Sequence, residues 1–145
     1  LGHLLSTEIL EADKPSKPLC GECEKCIEAC PTQAIEEPFI INSNNCLAYH
    51  TIENREKELP INISKRMGNW IAGCDICQDV CPWNESNIPS TQEPDLQPSQ
   101  WILDITKKNA LSWSDEQWKT NLKSSALKRI KPWMWRRNIN SILNN

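Results

Sequence analysis

No run of 18 or more consecutive apolar residues occurs in this sequence, so no membrane-spanning helix is expected. Glycine is scarce, with four in 145 residues. They build neither a phosphate-cradling loop nor a dinucleotide fingerprint, and no nucleophile elbow is present. The first residues lack a basic region followed by an apolar core and a small-residue cleavage site, so no secretory signal is expected there. Phenylalanine and tyrosine occur once each, against seven tryptophans. A core with so few bulky side chains is thin, and chains of this kind often need a staple.

What the chain does have is cysteine. Cys20, Cys23, Cys26 and Cys30 precede Pro31, giving C-x2-C-x2-C-x3-C-P. Cys74, Cys77 and Cys81 precede Pro82, giving C-x2-C-x3-C-P, and Cys46 lies between the two runs. Disulfides suit an even count but favour secreted chains. Zinc suits paired C-x2-C units but does not call for a third cysteine at the same spacing and a fourth before proline. Two 4Fe–4S clusters use all eight thiolates. In two-cluster ferredoxins the fourth cysteine of each run reaches across to the other cluster. That rule assigns Cys20, Cys23, Cys26 and Cys81 to one cluster, and Cys30, Cys46, Cys74 and Cys77 to the other. Metal ligation would also supply folding energy. Reduced thiols point to the cytoplasm.

Four stretches follow along the chain. Residues 1–18 carry Leu4, Leu5, Ile9 and Leu10, and read as the tail of a preceding domain or an edge strand packed on one. Residues 19–89 are the cluster module, an α+β ferredoxin-like unit. In it, a helix is expected from Glu22 to Ala29, strands at Ala34–Ile35 and Phe39–Ile41, and a helix from Asn45 to Glu53. Ser64 is expected to cap a helix through Met67 to Ile71, and Asp75 to Val80 to form another. Residues 90–110 read as a Pro, Ser and Gln linker. Residues 111–145 read as the start of a helical, HEAT-like repeat. There Ser114 and Gln117 make a capping-box pattern, Trp118 and Leu122 an apolar pair, and Ser124 or Ser125 a second cap. Pro132 opens a third helix with Trp135, Ile139, Ile142 and Leu143 on one face.

Charge is split. Residues 1–99 hold 7 Lys and Arg against 16 Asp and Glu, and residues 100–145 hold 9 against 3. A basic tail on an acidic module suits a polyanionic partner, or simply a solvated helix face. Of the two histidines, His3 and His50, the second lies one turn after Cys46 and reads as hydrogen-bonded or solvent-facing rather than as a ligand. No residue of the chain is expected to be catalytic.

The segments CGECEKCIEACPTQAI (Cys20–Ile35), CLAYHTIE (Cys46–Glu53), MGNWIAGCDICQDVCPWN (Met67–Asn84) and SALKR (Ser125–Arg129) resemble the epoxyqueuosine reductase family. The resemblance implies a cobalamin-dependent oxidoreductase that reduces epoxyqueuosine to queuosine at the wobble position of tRNA. It implies that the clusters feed electrons to the cobalt, and that a cobalamin domain with the catalytic proton donor lies outside this sequence, before Leu1. It also implies cobalamin contacts at Ala48 and Asp75, and tRNA contacts at Tyr49, Thr51, Lys123, Lys128 and Arg129. The partners expected are the anticodon stem-loop of queuosine-family tRNAs and a low-potential electron donor, with no membrane. Two other readings stay open: a free-standing two-cluster electron carrier, and a zinc-stapled nucleic-acid binding module.

Overall fold

The computed structural model describes residues 3–17, 19–84 and 90–145. The boundaries expected after residues 18 and 89 fall at residue 18 and residues 85–89, outside the described residues. Residues 3–17 contain no helix or strand, and Leu4, Leu5, Ile9 and Leu10 are exposed.

The cluster module is built from short elements. Helix α1 (Lys25–Ala29) stops before Pro31, whose ring cannot continue a helix. Strands β1 (Ile35–Glu37) and β2 (Ile40–Ile41) pair antiparallel, with Ile35 opposite Ile41. The turn between them puts Phe39 at φ +68°, a left-handed conformation uncommon for a bulky residue. A 3-10 turn (Ser43–Asn45) leads into α2 (Leu47–Ile52), with Cys46 as its N-cap. Helix α3 (Ile61–Ser64) follows Pro60, and α4 (Ile76–Asp79) lies in the second cysteine run and packs on α1.

One expected helix moves. Ser64 does not cap a helix through Met67 to Ile71; it is the last residue of α3, and its hydroxyl donates back to the Ile61 carbonyl at 3.2 Å. Pro60, with its φ fixed by the ring, is the N-cap of α3 and sets the entry four residues earlier. Gly68, at φ +55°, then prevents continuation through Met67.

The helical part begins before residue 111. A 3-10 turn (Pro94–Leu96), α5 (Gln100–Leu103) and α6 (Lys107–Ser112) occupy the expected linker, and Ala110 is fully buried. Thr106 and Asn109 form a capping box that starts α6. Helix α7 (Asp115–Leu122) starts at the expected Ser114–Gln117 box. Ser125 caps a 3-10 turn (Ala126–Arg129), and Pro132 opens α8 (Pro132–Leu143).

Ala110, Trp118, Leu122, Ile130, Met134, Trp135 and Ile139 form the larger core. Trp113 stacks on Trp135 at 5.6 Å, and the Trp135 indole N–H donates to the Ala110 carbonyl at 3.1 Å. A smaller core holds Leu47, Ile63, Met67 and Ile142. Helix α8 therefore serves both cores, with Ile139 in one and Ile142 in the other. Ile52, Ile71 and Ala72 of the cluster module pack on the larger core. Leu143, expected on the buried face, is 50 % exposed because it lies one position beyond the α8 stripe that ends at Ile142. No helix among the described residues is long and apolar enough to cross a membrane.

Candidate metal centre

The first cysteine run winds tightly. Gly21 takes φ +54°, and the Cys23 amide donates to the Cys20 carbonyl at 3.1 Å. Cys26 follows on α1. Cys81 arrives from the far end of α4, where its amide donates to the Gln78 carbonyl before Pro82 turns the chain away. Cys20, Cys23, Cys26 and Cys81 thus face one cavity of about 240 Å³, closed on one side by Ile27, Ile35, Phe39 and Ile41. The same four thiols also line an outer cavity with Leu19, Pro82 and Trp83.

Cys30, Cys46, Cys74 and Cys77 line a second cavity with Thr32, Ala34, Leu47 and Ile76. Cys77 borders both this cavity and the first. The second is smaller, about 40 Å³, so a four-iron core needs its thiols to turn outward. None of the eight cysteines is disulfide-bonded. Among the described residues, no group of three His, Cys, Asp or Glu side chains is set to hold a single ion. The sulfurs ring cavities instead, an arrangement suited to a polynuclear core with one thiolate at each iron.

The thiols of the second set differ in acidity. Burial pushes the Cys30 thiol up, but the Ala34 and Thr32 amides, the Thr32 hydroxyl and the Ile35 amide outweigh it and hold the thiol below its ordinary value. The Ala34 amide lies 3.2 Å from the Cys30 sulfur. Burial pushes the Cys74 thiol up, and Cys77, Cys46 and Cys30 add to the rise against an opposing amide from Ile76. Four thiolates brought together repel one another, and a cationic core relieves that repulsion. The donor set therefore fits iron–sulfur clusters.

Helix α2 carries the displaced ligand and the residues expected to face partners. Ala48 is half-buried, and Tyr49 is 37 % exposed with its ring edge-on to His50. His50 is buried; its Nε2 lies 2.7 Å from the Asn44 carbonyl and its Nδ1 2.9 Å from the Asn54 amide nitrogen. These two contacts fix the orientation of the ring. Thr51, expected as an RNA contact, lies on the inner face of α2. Its side chain is fully buried, donates to the Leu47 carbonyl at 2.8 Å, and accepts the Gly73 amide at 3.0 Å. Position 51 turns inward because α2 packs that face on the loop before Cys74. Asp75 is exposed at the N-terminus of α4.

In the tail, Lys123, Lys128 and Arg129 are all exposed. Arg129 pairs with Glu53 at 2.5 Å, which brings this part of the tail beside the end of α2. Two residues that the sequence reading passed over do more. Arg137 is buried and donates to the carbonyls of His50 (2.8 Å), Asn54 (2.9 Å) and Glu56 (2.5 Å). Burial, with Arg55 nearby, holds its pKa below the ordinary arginine value. Asn138 is fully buried and donates to the Thr51 carbonyl at 2.8 Å and the Ile71 carbonyl at 2.9 Å. The available signal was position: residue 138 falls three after Trp135 and four before Ile142, so an amide sits within an apolar stripe.

A family model described as a 4Fe-4S double cluster binding domain matches residues 19–84. The chain is 79 % identical over 142 residues to the epoxyqueuosine reductase of Prochlorococcus marinus (strain NATL2A), covering 98 % of this chain and 46 % of that relative. It is 57 % identical over 138 residues to the epoxyqueuosine reductase of Synechococcus sp. (strain CC9605), covering 95 % and 43 %. The solved epoxyqueuosine reductase of Bacillus subtilis matches with a TM-score of 0.82 at 30 % identity, over 92 % of this chain and 35 % of that one. A solved epoxyqueuosine reductase with an epoxyqueuosine-modified tRNA stem loop matches equally, with a TM-score of 0.82 at 30 % identity over 92 % and 35 %. The chain is thus homologous to epoxyqueuosine reductases along nearly its whole length, and spans about half the length of these curated relatives.

Proposed function

We propose that this homologue of epoxyqueuosine reductases is the electron-relay portion of such an enzyme. It would bind two 4Fe–4S clusters, Cys20, Cys23, Cys26 and Cys81 holding one and Cys30, Cys46, Cys74 and Cys77 the other. The observation that carries this reading is the sorting of the thiols. The two sets required by the ligand-crossing rule line two adjoining cavities, with Cys77 alone bordering both, and no cysteine is left over.

The chain's own residues bind and insulate. Thiolates hold iron, and Ile27, Ile35, Ile41 and Leu47 give the cavities apolar walls. The amides and hydroxyl on Cys30 stabilise negative charge on its sulfur, and hydrogen bonds of this kind tune cluster potential. Removing an epoxide oxygen as water takes two electrons and two protons. Clusters supply electrons singly, and a cobalamin supplies the chemistry at the substrate. That cobalamin would be held mainly by the part of the longer relatives that this chain does not span, with Ala48 and Asp75 as contacts here. The hydrogen bond from Gly73 to Thr51 joins the segments that carry those two residues. No proton donor is assigned within this chain. Tyr49, Lys123, Lys128 and Arg129 offer exposed groups to the anticodon stem-loop of a tRNA, with phosphate contacts fixing its register. The reading takes the protein to be cytoplasmic and served by a low-potential electron donor.

Anaerobic reconstitution with iron and sulfide tests the reading. The expected product is brown, holds about eight iron atoms per chain, and bleaches with dithionite. Cys20→Ser and Cys81→Ser should disturb one paramagnetic signal of the reduced protein, and Cys30→Ser and Cys46→Ser the other. A colourless zinc protein, or a different grouping of the four variants, overturns it.

A further inference from the structure

We infer that Arg137 and Asn138 of α8 are positioning residues for the second metal centre: they clamp together the two segments that carry Cys46 and Cys74. This rests on the two-cluster reading above.

The argument starts from the weakness of α2. A helix of six residues has little stability of its own, so tertiary contacts fix its direction. Cys46 is its N-cap, so any swing of α2 displaces the Cys46 sulfur. At its other end, the carbonyls of His50 and Thr51 lie in the last turn, where a helix leaves acceptors unpaired. Arg137 and Asn138 donate to these two carbonyls. The guanidinium also donates to the Asn54 and Glu56 carbonyls, so it caps α2 and pins the loop that leaves it. A positive charge beside the C-terminus of a helix is also favourable through the helix dipole.

Asn138 links this end to the other ligand segment. One N–H of its amide reaches the Thr51 carbonyl and the other the Ile71 carbonyl, three residues before Cys74. Its oxygen accepts from Nε and Nη2 of Arg137, at 3.1 and 2.9 Å. Every donor and acceptor site of the amide is then used, in a fully buried setting where a lost bond is costly. A second tie runs alongside, from the Gly73 amide to the Thr51 hydroxyl. The Cys46 segment and the Cys74 segment are therefore joined at two points, at the C-terminal end of α2 and within three residues of Cys74, and one of those points is an α8 side chain. None of these bonds reaches Cys20, Cys23 or Cys26. The inference is accordingly selective for one centre.

The test uses the reconstituted full chain, with three readouts: iron per chain, the paramagnetic signals of the reduced protein, and stepwise reductive titration. Asn138→Asp replaces the two N–H donors with acceptors. Arg137→Lys keeps the charge and loses the fork. Both variants should shift or lose one of the two reductive transitions, the one that Cys46→Ser removes, and leave the other where the wild type has it. Asn138→Asp should lose up to about half of the iron, the share of one cluster. Should Asn138→Asp fail to fold, by far-ultraviolet circular dichroism, Arg137→Lys decides alone. Transitions that stay in place in the folded variants, or that both move together, overturn the inference. A wild-type chain without two transitions would instead count against the two-cluster reading itself.

Discussion

Replacing Thr51 with valine separates a structural role from an RNA-binding one. The swap keeps the branched shape and removes only the hydroxyl. That hydroxyl is the acceptor for the Gly73 amide at 3.0 Å, and it also donates to Leu47 and Ala48 carbonyls at 2.8 and 3.2 Å. The carbonyls lose little, because each lies within α2. The Gly73 amide loses its partner in a part-buried place, and stranding such a donor costs about 1–3 kcal/mol. About 2 kcal/mol is a change of roughly 30-fold in the opening equilibrium. Anaerobic denaturant unfolding of the loaded protein should show this as a lower midpoint with an unchanged slope. The rate of iron transfer to a chelator should rise in parallel, since the stranded amide sits next to Cys74. Thr51→Ser keeps the hydroxyl and should cost well under half as much. Equal stability of valine variant and wild type, or a serine variant as damaged as the valine one, refutes the argument. Weaker tRNA binding by Thr51→Val at unchanged stability would restore the role in RNA contact.

Ile139→Ala removes a fully buried side chain from the larger core and should cost about 2–5 kcal/mol, whereas Leu143→Ala, half-exposed, should stay within about 0.5 kcal/mol, both read by denaturant unfolding. In the metal-free chain, Cys30 lies below its ordinary pKa and Cys74 above, so at pH below about 8.5 Cys30 carries more thiolate and should alkylate first. Peptide mass mapping over a pH series checks this, and prior labelling of Cys74 would contradict it. Lys128→Ala should lower the salt slope of stem-loop binding by about 1 in a fluorescence titration, and a slope that does not change with this substitution removes Lys128 from the phosphate contacts.

Much of the chain was legible because covalent spacing speaks directly. The C-x2-C runs suggest a grouping of the cysteines by spacing alone, and the Ser114–Gln117 box and Pro132 mark helix starts that local backbone preferences determine. The failures share a cause. The helix expected after Ser64 lost to Pro60 and Gly68, whose backbone preferences outweighed one capping hydroxyl. The expected linker holds Ala110 in the core because α8 covers it, a contact from 25 residues away. Thr51 looked like a surface polar residue beside Tyr49, but helical geometry puts neighbours at 49 and 51 on different faces. The α8 stripe marks position 138 as inward-facing, but what Arg137 and Asn138 hold stayed hidden because the groups they hold are backbone carbonyls, which no residue pattern reveals.

The clamp on α2 has a consequence for the order of synthesis. Its longest bonds, from Arg137 to His50 and from Asn138 to Thr51, each span 87 positions. A ribosome adding about 5–20 residues per second needs about 4–17 s to cover that distance. Cys46 is made about 5–18 s before Arg137 and Cys74 about 3–13 s before it, by the same rate. Newly made protein therefore spends seconds with the second set of thiols unheld, open to oxidants or stray metal. Delivery of iron and sulfide would be best timed after α8 has emerged.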